Sequence, residues 1–337
     1  MRFRKLATLP VIAMLLLIGS ARVAGAEEVS IMVGGIEKQI YLPLMLAQRL
    51  GYFSDEGLEV EILSEPAGVE AADEMLAGAV QGVVGFYDHN IELQALGKYT
   101  ESVVQFGQAP AEVEMVSNKH PEIKSFADLK GKNIGVTGLG SSTDFLTEYL
   151  LIKAGLKLSD VTPVPVGAGD TLIAAMQHDQ IQAAMTTEPT VSRLLRTGLA
   201  RILVDTRTLS GTVAALGGTY PAACLYMQTI WVETHKSTVQ KLVNALVRTM
   251  HFISTHSAAE IAAEMPADYY VGDKALYVDA LAYGKVMFTP DGRMPPDGPA
   301  TVLSVLSVIK PEVRDRPIDL AKTFTSEFVD RANAGLQ

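Results

Sequence analysis

The chain has 337 residues, enough for about two domains, and 48% of them are hydrophobic, so each domain can bury a core of its own. A formal charge of −10 argues against nucleic acid or an anionic membrane as partner, since both call for a basic surface. The only cysteine, Cys224, excludes an internal disulfide and reads as a small buried hydrophobe among Ala222, Ala223, Leu225 and Tyr226.

Residues 1–26 have the build of a secretory signal peptide. Arg2, Arg4 and Lys5 form a positive start, Leu6 to Ile18 an apolar stretch, and Ala24-Gly25-Ala26 a small-residue cleavage site. The apolar stretch is too short to span a bilayer. Cleavage after Ala26 removes four basic residues and no acid, leaving an expected mature charge of −14. No cysteine near the cleavage point offers a site for lipid attachment, and no later stretch reaches membrane-spanning length.

The pattern after residue 26 is βαβαβα. Strands are predicted at Val29–Val33, Val60–Leu63 and Gly82–Phe86, the last a continuous apolar run suited to a buried parallel strand. Helices are predicted from Leu42 to Leu50, Ala71 to Ala79 and Asp88 to Leu96. The alternation then restarts. Ser102–Phe106, Val113–Val116, Asn133–Val136, Val161–Val166, Ala183–Met185 and Ile202–Val204 read as strands. Phe126–Gly131 reads as a helical turn, and Ser142–Ala154, Asp170–Gln177 and Thr190–Thr197 as helices. A strand from Ala222 to Gln228 leads out of this second unit. Beyond it lie helices at Ser237–Thr255, Ala258–Glu264, Asp273–Met287, Pro299–Val308 and Asp319–Ala334, and these are expected to return and cover the first unit. The expected fold is therefore α/β, with two lobes joined by two crossings near 107–117 and 217–228 and a cleft between them. Lobe 1 takes in residues 27–115 and 226–337, and lobe 2 takes in residues 116–225.

In open α/β sheets, ligands bind beyond the carboxyl ends of the strands. The sharpest local signal of that kind is Thr137-Gly138-Leu139-Gly140-Ser141-Ser142-Thr143, a glycine turn between a strand and a helix. Its free N–H groups and hydroxyls suit a small anionic or strongly polar group, and an ordinary well-capped turn would look the same. No lysine follows as in a Walker A loop, and the third glycine of a dinucleotide fingerprint is missing. Thr187 and Glu188 end a later strand. The Glu188 carboxylate suits a ligand ammonium, amidine or amide, or alternatively the first turn of the helix. From the first unit come Gly34, Gly35, Ile36, Tyr41, Tyr87, Asp88 and His89, with Tyr87 placed to stack on a flat ligand and Asp88 also suited to cap a helix. There is no G-x-S-x-G elbow, no H-E-x-x-H and no cysteine pair, and the six histidines are scattered. Neither catalysis, metal binding nor a cofactor is expected.

Two stretches carry a family resemblance: Tyr41-Leu42-Pro43-Leu44-Met45-Leu46-Ala47-Gln48-Arg49-Leu50-Gly51-Tyr52-Phe53 running on to Val60, and Asp128-Leu129-Lys130-Gly131-Lys132-Asn133-Ile134-Gly135-Val136 running through Gly140-Ser141-Ser142 to Leu150. With Thr187-Glu188-Pro189, they resemble the nitrate/sulfonate/taurine group of periplasmic binding proteins, which shares its domain with the binders of thiamine-pyrimidine precursors. The resemblance implies a type II periplasmic-binding fold and a monomer that captures a small-molecule ligand and delivers it to an ABC permease and its ATPase. It also implies contacts at Gly35, Ile36, Tyr41, Tyr87, Asp88, His89, Gly140, Ser141, Ser142, Thr187 and Glu188, with Tyr220 before the exit strand. With no Arg or Lys in those loops, the expected ligand is a small organic anion (a monoanionic sulfonate or carboxylate) or an aromatic or heterocyclic compound. Two rival readings share the fold: an enzyme making the thiamine pyrimidine, whose cysteine-rich motif this chain lacks, and a sensor subunit presenting its ligand to a receptor.

Overall fold

The computed structural model describes residues 26–270 and 272–336, so the expected signal peptide lies outside the described residues save for Ala26. Two five-stranded sheets form the frame. The first is ordered β2-β1-β3-β10-β4 and comprises β1 (Glu27–Val33), β2 (Leu58–Ser64), β3 (Gly82–Phe86), β4 (Thr100–Gln105) and β10 (Ala223–Gln228). The second is ordered β7-β6-β8-β5-β9 and comprises β5 (Val113–Ser117), β6 (Asn133–Val136), β7 (Thr162–Pro165), β8 (Ala183–Thr186) and β9 (Ala200–Asp205). The two orders are equivalent. In each sheet the strand that arrives from the other lobe, β10 or β5, runs antiparallel to both its neighbours. The remaining pairs are parallel.

Val29, Ile31 and Val33 of β1 enter one apolar cluster while Met32 enters another, because alternate side chains leave opposite faces of a strand. Both faces are covered, which is why β3 reads as an unbroken apolar run. The helix Lys236–Thr255 covers one face. Its Val239, Leu242, Val243, Leu246, Val247 and Met250 recur at helical spacing and are fully buried. Each such burial stabilises the fold by roughly 1.5–3 kcal/mol.

Four expectations are corrected. The Ser102–Phe106 strand, which the restarted alternation groups with the second unit, is the edge of the first sheet, on the side of the 115 boundary where the lobe division puts it, and β10, read as leading out of the second unit, pairs within the first sheet. The passages between the sheets lie between β4 and β5 and between β9 and β10, where crossings are expected near 107–117 and 217–228. The stretch Asp319–Ala334 is not one helix. Its helical part is Glu327–Gly335, because Thr323 and Thr325 pair their backbone with Ser102 and cover the open edge of β4. Finally, not all C-terminal helices return to the first unit. Helix Gly298–Ile309 packs against helix Ser142–Lys153 of the second lobe as well as helix Asp88–Ala95 of the first. One apolar cluster accordingly draws on both sheets, with Met32 and Val83 from the first and Val116 and Ile134 from the second.

Glu114 sits fully buried on β5, where Thr147 Oγ1 donates to its carboxylate at 3.3 Å. Burial pushes its pKa from an ordinary 4.5 up to about 8, against the opposing hydrogen bond from Thr147. A raised acid pKa favours the folded state below the unfolded value of 4.5, and that advantage is lost as pH climbs through 8. Thermal unfolding followed by circular dichroism should therefore show a midpoint that falls between these two pH values. Glu114→Gln should flatten the slope and raise the midpoint at pH 8 by about 3 °C.

Candidate ligand-binding cleft

The cleft is built from strand ends and the turns that follow them. After β1, Gly34 and Gly35 turn the chain so that Lys38 folds back beneath them. Its Nζ donates to Gly34 O at 2.6 Å and to Pro66 O at 3.1 Å. Gly35 holds φ at +104°, and a Cβ there would stand 2.6 Å from Lys38 Cε. Glycine is thus required both for the backbone conformation and for the lysine's place. Ile40, Tyr41, Phe86, His89 and Gly68 continue this wall. Facing them across the cleft are Thr137, Ser141, Ser142, Thr143 and Thr187, and Glu112 enters from the passage that joins β4 to β5.

The walls meet. Ser142 Oγ, at the start of helix Ser142–Lys153, donates to Asp88 Oδ2 of the opposite lobe at 2.8 Å. Tyr220 Oη donates to the same oxygen at 3.0 Å, and Gln39 N donates to Glu188 O at 3.0 Å. The remaining cavity is about 10 Å³, scarcely the space of one water. At its rear the passages lie side by side. Ala222 N donates to Gly107 O, and the Gln105 side-chain amide donates to the carbonyls of Gly107, Ala222 and Ala223. Near the mouth, Arg196 of the second lobe pairs with Asp273 at 2.6 Å, and the Arg207 guanidinium lies 4.3 Å from the centre of the Tyr283 ring.

Of the residues expected from sequence, Tyr41, His89, Ser141, Ser142 and Thr187 line the cavity, and Asp88 and Tyr220 adjoin it through their bonds. Gly35 shapes the turn without lining the cavity. Ile36 is half-buried and donates its N–H to Ser64 Oγ, and Gly140 donates its N–H to Asp144 Oδ2. Two roles are corrected. Tyr87 does not face the cleft. Its hydroxyl bonds Thr323 and its ring meets Phe324 edge-on in the core. Glu188 offers no free carboxylate. Oε1 takes Arg207 Nη1 at 2.6 Å and Oε2 caps Ser192 N at 2.9 Å.

Sequence reasoning missed Lys38 and Glu112. The expectation of a cleft without Arg or Lys is therefore overturned by Lys38, which sits only three residues before Tyr41 and was within reach of a search of that loop. Glu112 carried no signal, because it precedes a strand and its direction is set by the crossing. Burial lowers the Lys38 pKa, opposed by the charges of Glu37, Glu112 and Glu70. Burial drives Glu112 well above its ordinary value, helped by the neighbouring Asp88. Burial likewise raises Asp88, against His89 and the hydroxyls of Ser142 and Tyr220. For His89, burial works downward but Glu92 and Asp88 outweigh it, and the net shift is upward. Four buried polar atoms here have no partner among the described residues: Asp88 Oδ1, Glu112 Oε2, His89 Nε2 and Thr187 Oγ1. Among the described residues, no group of three or more His, Cys, Asp or Glu is placed to hold a metal ion, and no helix is long and apolar enough to cross a membrane.

The NMT1/THI5-like family model matches residues 39–259, which takes in both walls of the cleft. The chain belongs to the NMT1/THI5-like family. A solved structure from Bordetella bronchiseptica RB50 is 40% identical, with a TM-score of 0.89 over 92% of this chain and 98% of that one. The alkanesulfonate-binding protein SsuA from Xanthomonas axonopodis pv. citri, solved bound to MOPS, shares the fold at 20% identity and a TM-score of 0.69, over 90% of this chain and 99% of that one. The 4-amino-5-hydroxymethyl-2-methylpyrimidine phosphate synthase of Schizosaccharomyces pombe is 32% identical over 38% of this chain, a match that takes in only 36% of that relative's length. Two α/β lobes of the periplasmic-binding type, the expected fold, are thus the fold observed.

Arg207 and Glu188 form a buried ion pair that only Asp205 supplements. Removing one partner of a buried pair leaves an uncompensated charge. Urea unfolding of Arg207→Ala, which strands the buried Glu188 carboxylate, should show a loss of about 3 kcal/mol, whereas Tyr41→Phe should unfold like the parent, since it keeps the ring packed edge-on against Phe86.

Proposed function

We propose that this protein is the solute-binding component of an ABC import system, exported to the periplasm, where it captures a small organic solute and delivers it to a permease and its ATPase. The observation that carries the reading is the seam. Ser142 and Asp88, from opposite lobes, hydrogen-bond across a polar cavity with space for about one water, so the walls must part to admit a solute. A ligand that touches both walls stabilises the closed form and not the open one, and this difference in affinity is what drives closure. The adjoining passages at Gly107 and Ala222 supply the hinge. Family membership and the likeness to a sulfonate-binding protein support the same role.

The synthase relative supports a second reading as an enzyme. Cys224 is fully buried and its thiol is pushed up by burial, so it is no nucleophile. The Lys38 ammonium is held by two carbonyls. Binding is therefore the reading the cleft favours.

X-ray scattering in solution should show the protein contract when its solute is added and should show no such change for solutes that do not bind. A rigid particle that retains none of a panel of periplasmic solutes would end the transport reading. Ser142→Ala should weaken solute binding about tenfold, the worth of one hydrogen bond to a charged group. The variant should unfold at nearly the parental midpoint without solute, since Ser142 bonds across the cleft rather than within its lobe.

A further inference from the structure

We infer that the cleft is built for a small organic monocation, of amidinium or ammonium type, and not for an anion. This deepens the solute-binding reading and rests on it. The argument begins at the N-terminus of helix Ser142–Lys153, the natural seat of an anionic ligand in such a cleft. That seat is already taken. Asp88 reaches it from the opposite lobe and accepts from Ser142 Oγ, with Tyr220 Oη on the same oxygen. An incoming sulfonate or carboxylate would meet a buried carboxylate where it needs a donor.

The charges around the cavity give the second step. Asp88 and Glu112 are both buried, and each keeps one oxygen without a partner, Asp88 Oδ1 and Glu112 Oε2. Among the described residues Lys38 is the one lysine or arginine lining this cavity, and its Nζ is turned to the carbonyls of Gly34 and Pro66 rather than to either carboxylate. Beside the cavity, Glu92 faces two basic groups. His89 Nδ1 stands 3.7 Å from Glu92, and Glu92 receives Lys310 Nζ at 3.3 Å. Two buried carboxyl groups thus share the cavity with one lysine that touches neither, and a bound cation is the partner that would let both ionise. A monocation with several N–H donors supplies what the site lacks, charge and donors together, at two orphan acceptors. Thr187 Oγ1 and His89 Nε2 remain for a further polar group on the solute, and Tyr41 and Phe86, packed edge to face 6.4 Å apart, offer an apolar wall.

Shape-matched probes separate charge from fit. Benzamidine, benzoate and benzenesulfonate, with acetamidine, acetate and methanesulfonate as a smaller set, are titrated calorimetrically into the mature protein. In parallel, protein purified from the periplasm is denatured and any released solute is identified by mass spectrometry. The cationic member of at least one set should bind at least tenfold more tightly than its anionic counterparts, and a released solute should carry a positive charge. Glu112→Gln and Asp88→Asn should each weaken the cation at least tenfold, while Glu101→Gln, on the edge strand far from the cleft, should not. Tighter binding of an anion, or an anionic released solute, would overturn the inference and leave the solute-binding reading standing. If no probe binds and no solute is released, both fall. The probe comparison uses the unaltered protein and holds whether or not the substituted carboxylates fold well.

Discussion

A buried carboxylate stands at the start of a helix that belongs to the other half of the molecule. Asp88 is supplied by the first lobe, yet two of the hydroxyls that satisfy it come from elsewhere, Ser142 at the helix start and Tyr220 in the return passage. The arrangement exists only when the two lobes are together. Apart, Asp88 would face water, which would restore its ordinary carboxylate behaviour. Together, it is desolvated and its affinity for protons rises. Closure and the chemistry of the cleft are thus one event seen from two sides.

The walls of the cleft share this dependence on close approach. Gly34 lies so near Gly68 that a Cβ on it would stand 2.8 Å from that backbone, and Gly138 of the second lobe lies as near to Ala67 of the first. Polar groups packed this tightly have little room for water, which makes each unpartnered oxygen costly. Such cost is tolerated in a site that a ligand completes. The outer contacts differ in kind. The Arg196–Asp273 pair is half-exposed and worth little alone, whereas Glu188 and Arg207 are buried and brace the second lobe from within.

The C-terminal helices make the division into halves less complete than the sheets suggest. Helix Gly298–Ile309 joins an apolar cluster fed by both sheets, and Lys310 at its end lies 4.2 Å from the Phe145 ring while pairing with Glu92. One helix therefore touches both sides of the seam behind the polar cavity. Any opening of the cleft must either slide this helix over one of its neighbours or carry it with one lobe. Opening about the Gly107–Ala222 contact is in this way coupled to a packed apolar surface.

The sequence alone determined most of the secondary structure and the two-lobed plan, because these rest on short-range regularities: apolar residues every second position in strands, every third or fourth in helices, and glycine where the chain turns. It located the Ser141-Ser142 turn, Tyr41 and His89 for the same reason, since strand ends are legible locally. Its alternation of elements ran β4 on into the second unit although the lobe boundary at 115 kept it in the first, because pairing in a sheet is decided by partners more than a hundred residues away. It also misread the cleft's charge. Lys38 turned inward because Gly35 left room for it. Glu188 turned to Arg207 and away from the cavity, and Glu112 entered from a crossing whose direction no local pattern encodes. Which groups stand in the sequence is a matter of composition. Which of them lose their water together is a matter of tertiary packing, and in a buried site that loss sets the electrostatics.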